Sequence, residues 1–525
     1  MKKQKTPFFK RIFTQGDNSP APRSKFRKFV RRMHGMFKAS FVDPADKWSA
    51  IPIPIEQFIS LRLPALVARS REQWSNNPYV RGYVRRCRQN IVGEHGVLMQ
   101  SKPLLSSGKL DKAASDAIEA AWLDWCKPEN CDVAGKLSWR RMQALAIEHA
   151  ARDGEFIFRK VRGDNAGPFG FALQLIDPVR LPVGYGDMGY GTEGNFIRNG
   201  IEFTRFGRVV AYHFDSLDES DAGFYYSVAG NGYVRVEAAD IIHGFVCEMA
   251  SQRRGIPWTS TGLDRMHNLG GFEDAAVQNA RAGANQMGFI EYDDGFGPDI
   301  DDDDDVDVAA TINAEPLSFH ELPRGAHLKE FKPLYPNGEF ATFNKSQLRA
   351  ASTGWGVAYN GLANDLEGVN FSSIRDGKVD ERDNWKELQQ WLIEALCCPV
   401  FDDWIKYALL AGLIVNTKNG KPLSPAKLRE YRKAIWQPRR WDWIDPKNDA
   451  TAKITEVRGG LTSILQIMRE RGRDPETVFG EIAESYEMAV AAGIPQRFID
   501  VMFGILPAPE AAPSKADESV AKEPK

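Results

Sequence analysis

Asn364, Asn370, Ser372, Ser373, Arg375 and Lys378 stand within fifteen residues of one another. Amide and hydroxyl groups of this kind donate hydrogen bonds to phosphate oxygens whatever the base sequence, and Arg375 or Lys378 adds charge. A second concentration of one chemistry is Asp293–Asp307, where Asp301, Asp302, Asp303, Asp304 and Asp305 run consecutively and no basic residue intervenes. Carboxylates at that density suit a divalent cation or a basic partner. The spacing fails the EF-hand template, because counting from Asp301 puts Val306 where glycine is needed and Ile312 where glutamate is needed. A solvated acidic loop, held extended by its own repulsion, is the better reading.

Other catalytic patterns fail in the same residue-by-residue way. No G-x-x-x-x-G-K-[ST] phosphate loop occurs, since Ser107-Gly-Lys-Leu110 lacks the first glycine and the closing hydroxyl. His320-Glu321 is followed by no histidine at the H-E-x-x-H spacing, and no G-x-S-x-G elbow appears. Gly184-Tyr-Gly-Asp-Met-Gly189 matches G-x-G-x-x-G, but more glycine and a strand follow it, not the helix whose N-terminus must face a pyrophosphate. Neither a cofactor nor a catalytic residue is indicated. Phosphate cleavage without a phosphate-cradling loop has little physical basis.

The elements that must position these groups are legible from periodicity. Leu348, Ala351, Trp355, Tyr359 and Leu362 share one helical face, predicting a helix over Asn344–Asn360 capped by Asn344 and closed at Gly361. The stretch from Asn364 to Gly377 shows neither period and is rich in turn formers, so it reads as a long polar loop. Pattern alone makes such a loop an exposed excursion. A second helix follows, burying Trp385, Leu388, Leu392 and Leu396.

Earlier in the chain, residues 1–47 form a basic tail, and Ile51-Pro-Ile-Pro54 an extended connector. Helical pattern over Glu56–Asn90 is expected to break at Pro64 and at Asn77-Pro78, with Arg81, Arg85, Arg86 and Arg88 on a solvated face or in subunit salt links. Ala113–Cys126 and Ser138–Arg152 are amphipathic helices. Period two then sets in at Phe156 and Phe158 and continues through Ile201–Phe203, Val209–Phe214 and Tyr233–Val236, giving a β-rich lobe over 155–247. Trp258–Ile290 reads as a long helix, its second half rich in Ala and Gly and suited to close packing. Short β-type pieces are expected over Pro316–Pro336, a Trp/Arg cluster at Trp436–Trp443, a helix start at Asp445-Pro446, helices to about Phe503, and a polar tail beyond.

Composition bounds the class. The chain has 525 residues, 43% of them hydrophobic, which is room for about three domain-sized units with buried cores. Net charge is −2, against a protein that coats nucleic acid by bulk charge. The distribution is uneven, with 13 basic and 3 acidic residues in 1–48. Six cysteines include no C-x-x-C pair, so reduced thiols are expected, not a disulfide framework or a zinc site. The basic N-terminus lacks the apolar run of a signal peptide, and Trp404–Val415 contains Lys406 and is too short to span a bilayer. A soluble protein of a reducing cytoplasm, with no membrane partner, is the expectation.

Three groups of words together resemble the lambda-type portal proteins of tailed bacteriophages. Ala363-Asn-Asp-Leu-Glu-Gly-Val-Asn-Phe-Ser-Ser-Ile-Arg375 is similar to that family's D-x-x-x-x-N-Y-S-S-x-R passage, with Phe371 in place of the usual tyrosine. Ser70–Gly82 with Asn90-Ile-Val-Gly93 resembles its entry motif. Trp441–Asp449, Gly459–Ser463 and Arg471–Asp474 resemble its late motif. They cover roughly residues 60 to 495 in the family's order, which is more specific than any one short word.

The resemblance implies a mixed α/β (α+β) portal-like subunit that assembles as a ring, usually of about twelve copies. Carried over, its parts are a tail at 1–50, a wing at 51–257, a first stem helix at 258–290, a clip at 291–338, a second stem helix at 339–362, a tunnel loop at 363–376, wing and crown helices at 377–505 and a tail at 506–525. It implies a head–tail connector at one capsid vertex of the virion, assembled in the host cytoplasm, through which double-stranded DNA is packaged and later ejected. Partners so implied are the terminase large subunit, head-completion and tail adaptor proteins, and the major capsid protein or scaffold. Asn364, Asn370, Ser372, Ser373, Arg375 and Lys378 would face DNA without reading its sequence, and Asp301–Asp305 would dock a partner on the clip. Near-neutral charge suits a channel in which DNA must slide. The competing readings are a metal-dependent DNA-processing enzyme using the acidic loop, and another scaffold or completion protein of the same head.

Overall fold

The computed structural model describes residues 52–105, 108–190, 194–215, 233–285, 289–292, 326–329, 340–367, 371–416, 419–441, 446–470, 473 and 475–502. The chain divides into a short unit ending at Phe58 and a large one from Ile59 onward.

Helix α1 (Ile55–Asn76) runs through Pro64 without a break. The lost amide bond costs roughly 3 kcal/mol, but Ile59 and Leu63 are both buried beside it, and each contributes roughly 1.5–3 kcal/mol. The expected break falls only at Asn77, whose side chain accepts from the Tyr79 and Val80 amides and starts α2 (Pro78–Ile91) with proline at its first turn. Strand β1 (Leu98–Ser101) follows. Helix α3 (Lys112–Trp125) is capped by Asp111 and α4 (Trp139–Asp153) by Ser138. Gly154 closes α4 at φ +96°, and a Cβ there would lie 2.6 Å from the Ile256 backbone carbon, so only glycine fits.

Strand β2 (Glu155–Arg162) pairs antiparallel with β3 (Phe171–Ile176) and with β9 (Ile241–Phe245). Between them in sequence, β4 (Asp187–Tyr190), β5 (Asn195–Arg198), β6 (Ile201–Phe203), β7 (Val209–Phe214) and β8 (Val234–Glu237) form an antiparallel meander in chain order. The glycine-rich turn before β4 opens a strand and no helix, as its sequence context indicated. Alternation along β2 divides the cores. Phe156 and Phe158 enter a large helical core. Ile157, with Ile176 and Leu181, packs on Ile201, Phe203, Tyr212 and Phe214 in a second one. Trp122, Trp125, Trp139, Phe401 and Trp404 meet at the centre of the first, Trp122 lying 4.9 Å from both Trp125 and Trp404 by ring centroid.

Helix α5 (Leu263–Asn285) is shorter at both ends than the expected 258–290, and Phe289–Tyr292 is instead β10, paired with β11 (Ala326–Lys329). Aromatic and β-branched residues there favour the strand. Helix α6 (Phe340–Gly354) stops before Asn360. Gly356 takes φ +63°, and a short α7 (Tyr359–Ala363) resumes. The predicted apolar face survives the interruption, since Leu348, Ala351, Trp355 and Leu362 are all buried. Helix α8 (Phe371–Leu392) passes through a π-helical segment, Ile393–Cys397, into α9 (Cys398–Leu410).

Strand β12 (Ala434–Gln437) pairs antiparallel with β1, Leu98 opposite Gln437, and neither was legible as a strand. The C-terminal helices are α10 (Pro446–Arg458), α11 (Ile464–Glu470), α12 (Pro475–Ala491) and α13 (Gln496–Met502), with Pro446 at the start as read. All six cysteines are free thiols. Among the described residues no helix is long and apolar enough to cross a membrane.

Candidate functional site

The segment from Phe340 to Leu392 is anchored from behind. Trp355 stacks on Tyr83 at 4.7 Å between ring centroids and donates Nε1–H to the Thr259 carbonyl at 3.1 Å. Its indole lies where a Cβ on Gly262 would fall, 2.5 Å away. Swinging Trp355 into this slot takes the chain out of helical geometry, and Asn384 then closes the kink by donating to the Gly356 carbonyl at 3.1 Å. Arg86 donates to the Gly361 carbonyl. Tyr359 Oη donates to Asp365 at 2.7 Å and Lys345 pairs with the same carboxylate at 3.0 Å. These contacts hold the Asp365 carboxyl at about 2, below its ordinary value.

The second half of the expected loop is helix. Helix α8 begins at Phe371, so Ser372, Ser373 and Arg375 lie in its first turns, and Lys378 one turn further on is exposed. Ser, Asn and Asp are favoured in helix first turns as well as in turns, so composition could not separate the two. Asn364 ends α7 in left-handed geometry at φ +52° with its side chain exposed. Asn370 and Asp301, Asp302, Asp303, Asp304 and Asp305 lie outside the described residues. Asn364 and Lys378 are thus the two members of the candidate set whose exposed side chains are described.

Two of the three motif groups meet at one place, through Asn90 and Trp441. Gln389 of α8 donates Nε2–H to the carbonyls of Asn90 and Arg439, each at 2.9 Å. Trp441 Nε1 donates to Asn90 Oδ1 at 2.9 Å, and Arg439 reaches back to the Gln89 carbonyl. Gly93 stands at φ +74° with the Arg439 side chain where its Cβ would be, 2.9 Å away. Residues about 300 apart in sequence therefore share one junction, so the expected Trp/Arg cluster is a clasp between chain segments.

Beside this junction opens a cleft of about 1870 Å³. Arg88, Arg140, Arg141, Arg439, Arg440, Lys453, Arg458 and Arg473 line it, with Glu94 the one carboxylate among the described lining residues. The sequence predicts Arg88 on a solvated face or in a salt link, and Arg439 and Arg440 in a Trp/Arg cluster. Their convergence depends on the β1–β12 pairing, which four-residue strands do not announce.

One cluster has the donor set of a cation site. His149, Asp153 and Asp177 offer ligand atoms within 4.8 Å of one another. Arg71 already spans the two carboxylates, Nε 2.8 Å from Asp153 and Nη2 2.5 Å from Asp177, and Arg152 adds a contact to Asp153 at 2.9 Å. Two guanidinium groups supply the positive charge a cation would bring. The cluster is an ion-pair network tying α1, α4 and the end of β3.

A sequence model of the family described as "Phage portal protein, lambda family" matches residues 43–389. A probable portal protein of Halomonas phage phiHAP-1 is 34% identical over 434 residues, covering 82% of this chain and 81% of that one. The portal protein of Escherichia phage N15 is 22% identical, covering 81% and 84%, and portal protein B of Escherichia phage lambda 21% identical with the same coverage. Among solved structures, the neck of an empty gene transfer agent particle has a chain 12% identical with a TM-score of 0.42, covering 78% of this chain and 94% of that one.

Proposed function

The chain belongs to the lambda family of phage portal proteins, and from that premise we propose how its parts serve a head–tail connector. Subunits close into a ring, of about twelve copies as the family implies, at one vertex of the phage head. Double-stranded DNA enters through the ring during packaging and leaves through it at ejection. The terminase large subunit docks on the ring and is later replaced by head-completion or tail adaptor proteins, while the major capsid protein or scaffold surrounds it. The β-rich lobe and flanking helices form the wing, α5 with α6 the stem, 291–338 the clip, and the C-terminal helices the crown. The stretch from Asn364 to Lys378 faces the tunnel.

The observation that carries this reading is the match over residues 43–389 together with 34% identity to one portal protein. The junction of Asn90, Gln389, Arg439 and Trp441 supports it, because two of the three groups that resemble the family, through Asn90 and Trp441, meet there. Family membership places the chain among structural components of the virion. The test is the mass of the purified full-length protein. A species of about ten to fourteen subunits is expected for a rotation-closed ring around a duplex. A strict monomer at every concentration and salt rejects it.

A further inference from the structure

The basic cleft and helix α12 are complementary surfaces at different places on the same chain. In the cleft, Arg88 and Arg141 share Glu148, and Lys453 pairs with Glu456. Arg140, Arg440, Arg458 and Arg473 are exposed and form no ion pair among the described residues. Ile454, Ile464, Ile467 and Met468 supply an apolar part of the lining, with Ile454 and Ile464 about half exposed. A bare polyanion would leave that apolar surface unused. An acidic amphipathic helix would use both kinds of surface.

Helix α12 is such a helix. Phe479, Ile482, Tyr486 and Val490 recur at three- and four-residue spacing and are 37–50% exposed. Glu481, Glu484 and Glu487 are exposed on the remaining face, and the helix contains no Lys or Arg. Size agrees as well: a helix about 11 Å across with its side chains fills 1870 Å³ over about 20 Å, or about thirteen residues. Among the described residues α12 lines this subunit's own cleft only at Val478, and Phe479, Ile482 and Val490 stay 41–50% exposed.

We propose that α12 of one subunit seats in the basic cleft of the next, Glu481, Glu484 and Glu487 meeting Arg140, Arg440 and Arg458, and the Phe479–Val490 row covering Ile454 and Met468. The proposal rests on the ring reading and names a contact within it. Donor and acceptor surfaces differ, so the contact is heterologous and repeats head to tail, as ring closure requires.

The test uses full-length protein, with native mass and light scattering as the readout at about 0.1 M salt, where screening sets in at about 10 Å. The charge reversals E481K/E484K/E487K and R140E/R440E/R458E should each lower the ring fraction at least about tenfold. Carrying both sets in one chain should restore it. Far-UV circular dichroism and melting check the fold, and Glu484→Lys and Arg140→Glu alone stand in for any triple variant that does not fold. If the parent forms rings and both reversed sets still do, the contact is wrong while the ring stands. Loss with either set and no recovery with both also overturns the pairing. A monomeric parent removes the ring reading and this contact with it. If the cleft variant keeps its ring but loses duplex DNA binding, the cleft takes phosphate and the proposal fails.

Discussion

Arg254 and Glu155 form an ion pair sealed from solvent, each side chain 2% exposed, with Nη2 2.5 Å from Oε1 and Nε within 3.0 Å of both carboxylate oxygens. His243 Nε2 lies 3.0 Å from the same carboxylate, and the Gly255 amide donates to it at 2.9 Å. Arg254 Nη1 donates to the carbonyls of Leu181 and Asn199. One guanidinium thus ties the three-stranded sheet to the entry of the five-stranded one. Removing either partner strands the other charge, so Arg254→Leu or Glu155→Gln should each cost about 3–5 kcal/mol. Denaturant unfolding of the protein, followed by tryptophan fluorescence, measures it. A loss below about 1 kcal/mol would show the pair to be dispensable.

Acid sensitivity follows from the same carboxylate. Burial pushes Glu155 up, but Arg254 and His243 outweigh it and hold the pKa at about 2 against an ordinary 4.5. A depressed folded-state pKa contributes stability above about 4.5 that is lost as pH falls toward about 2. Asp153 adds to the slope, since its burial is likewise outweighed by His149, Arg152 and Arg71 and its pKa is lowered. Melting temperature should therefore drop across this window, and Glu155→Gln should flatten the drop without abolishing it. Equal slopes for variant and parent would contradict the assignment.

What could be read from sequence was whatever had a long period. The helices over 113–126 and 138–152, the strands at 201–203 and 209–214, and the buried row from Leu348 to Leu362 are all found within a few residues. The interruption at Gly356 was hidden because Trp355 keeps the apolar register while leaving the helix, held by Tyr83 and Thr259 from distant segments. Asn364–Gly377 misled for a different reason, since Ser372 and Ser373 suit a helix start as well as a turn. The cleft was invisible because Arg140, Arg440 and Arg458 come together only through tertiary contacts.

The acidic run offers a test independent of the ring. Asp301–Asp305, taken as a clip surface that meets a basic face of the docking motor, should steer encounter more than hold the fold. Replacing these five residues by Asn should leave assembly intact and slow terminase association, most at low salt. Association rates measured across a salt series decide it. Curves that coincide for variant and parent reject a docking role.

The tunnel assignment of Asn364, Asn370, Ser372, Ser373, Arg375 and Lys378 makes the sharpest functional prediction. Hydroxyl and amide donors hold phosphate weakly and in any register, so repeated copies around a ring would guide a duplex without trapping it. Repeated basic groups would instead bind through counterion release and oppose sliding. Ser372 and Ser373 sit in the first turns of α8, where a change to Ala keeps helix propensity. Asn370→Ala with Ser372→Ala and Ser373→Ala should therefore leave the ring intact and change the length of DNA packaged or retained in particles. Pulsed-field sizing of the packaged DNA gives the readout. The structural alternative is that Arg375 pairs with a carboxylate of its own or a neighbouring subunit and shapes the ring. If the triple variant packages DNA of parental length while Arg375→Ala prevents ring assembly, the segment is architectural and the tunnel assignment is wrong.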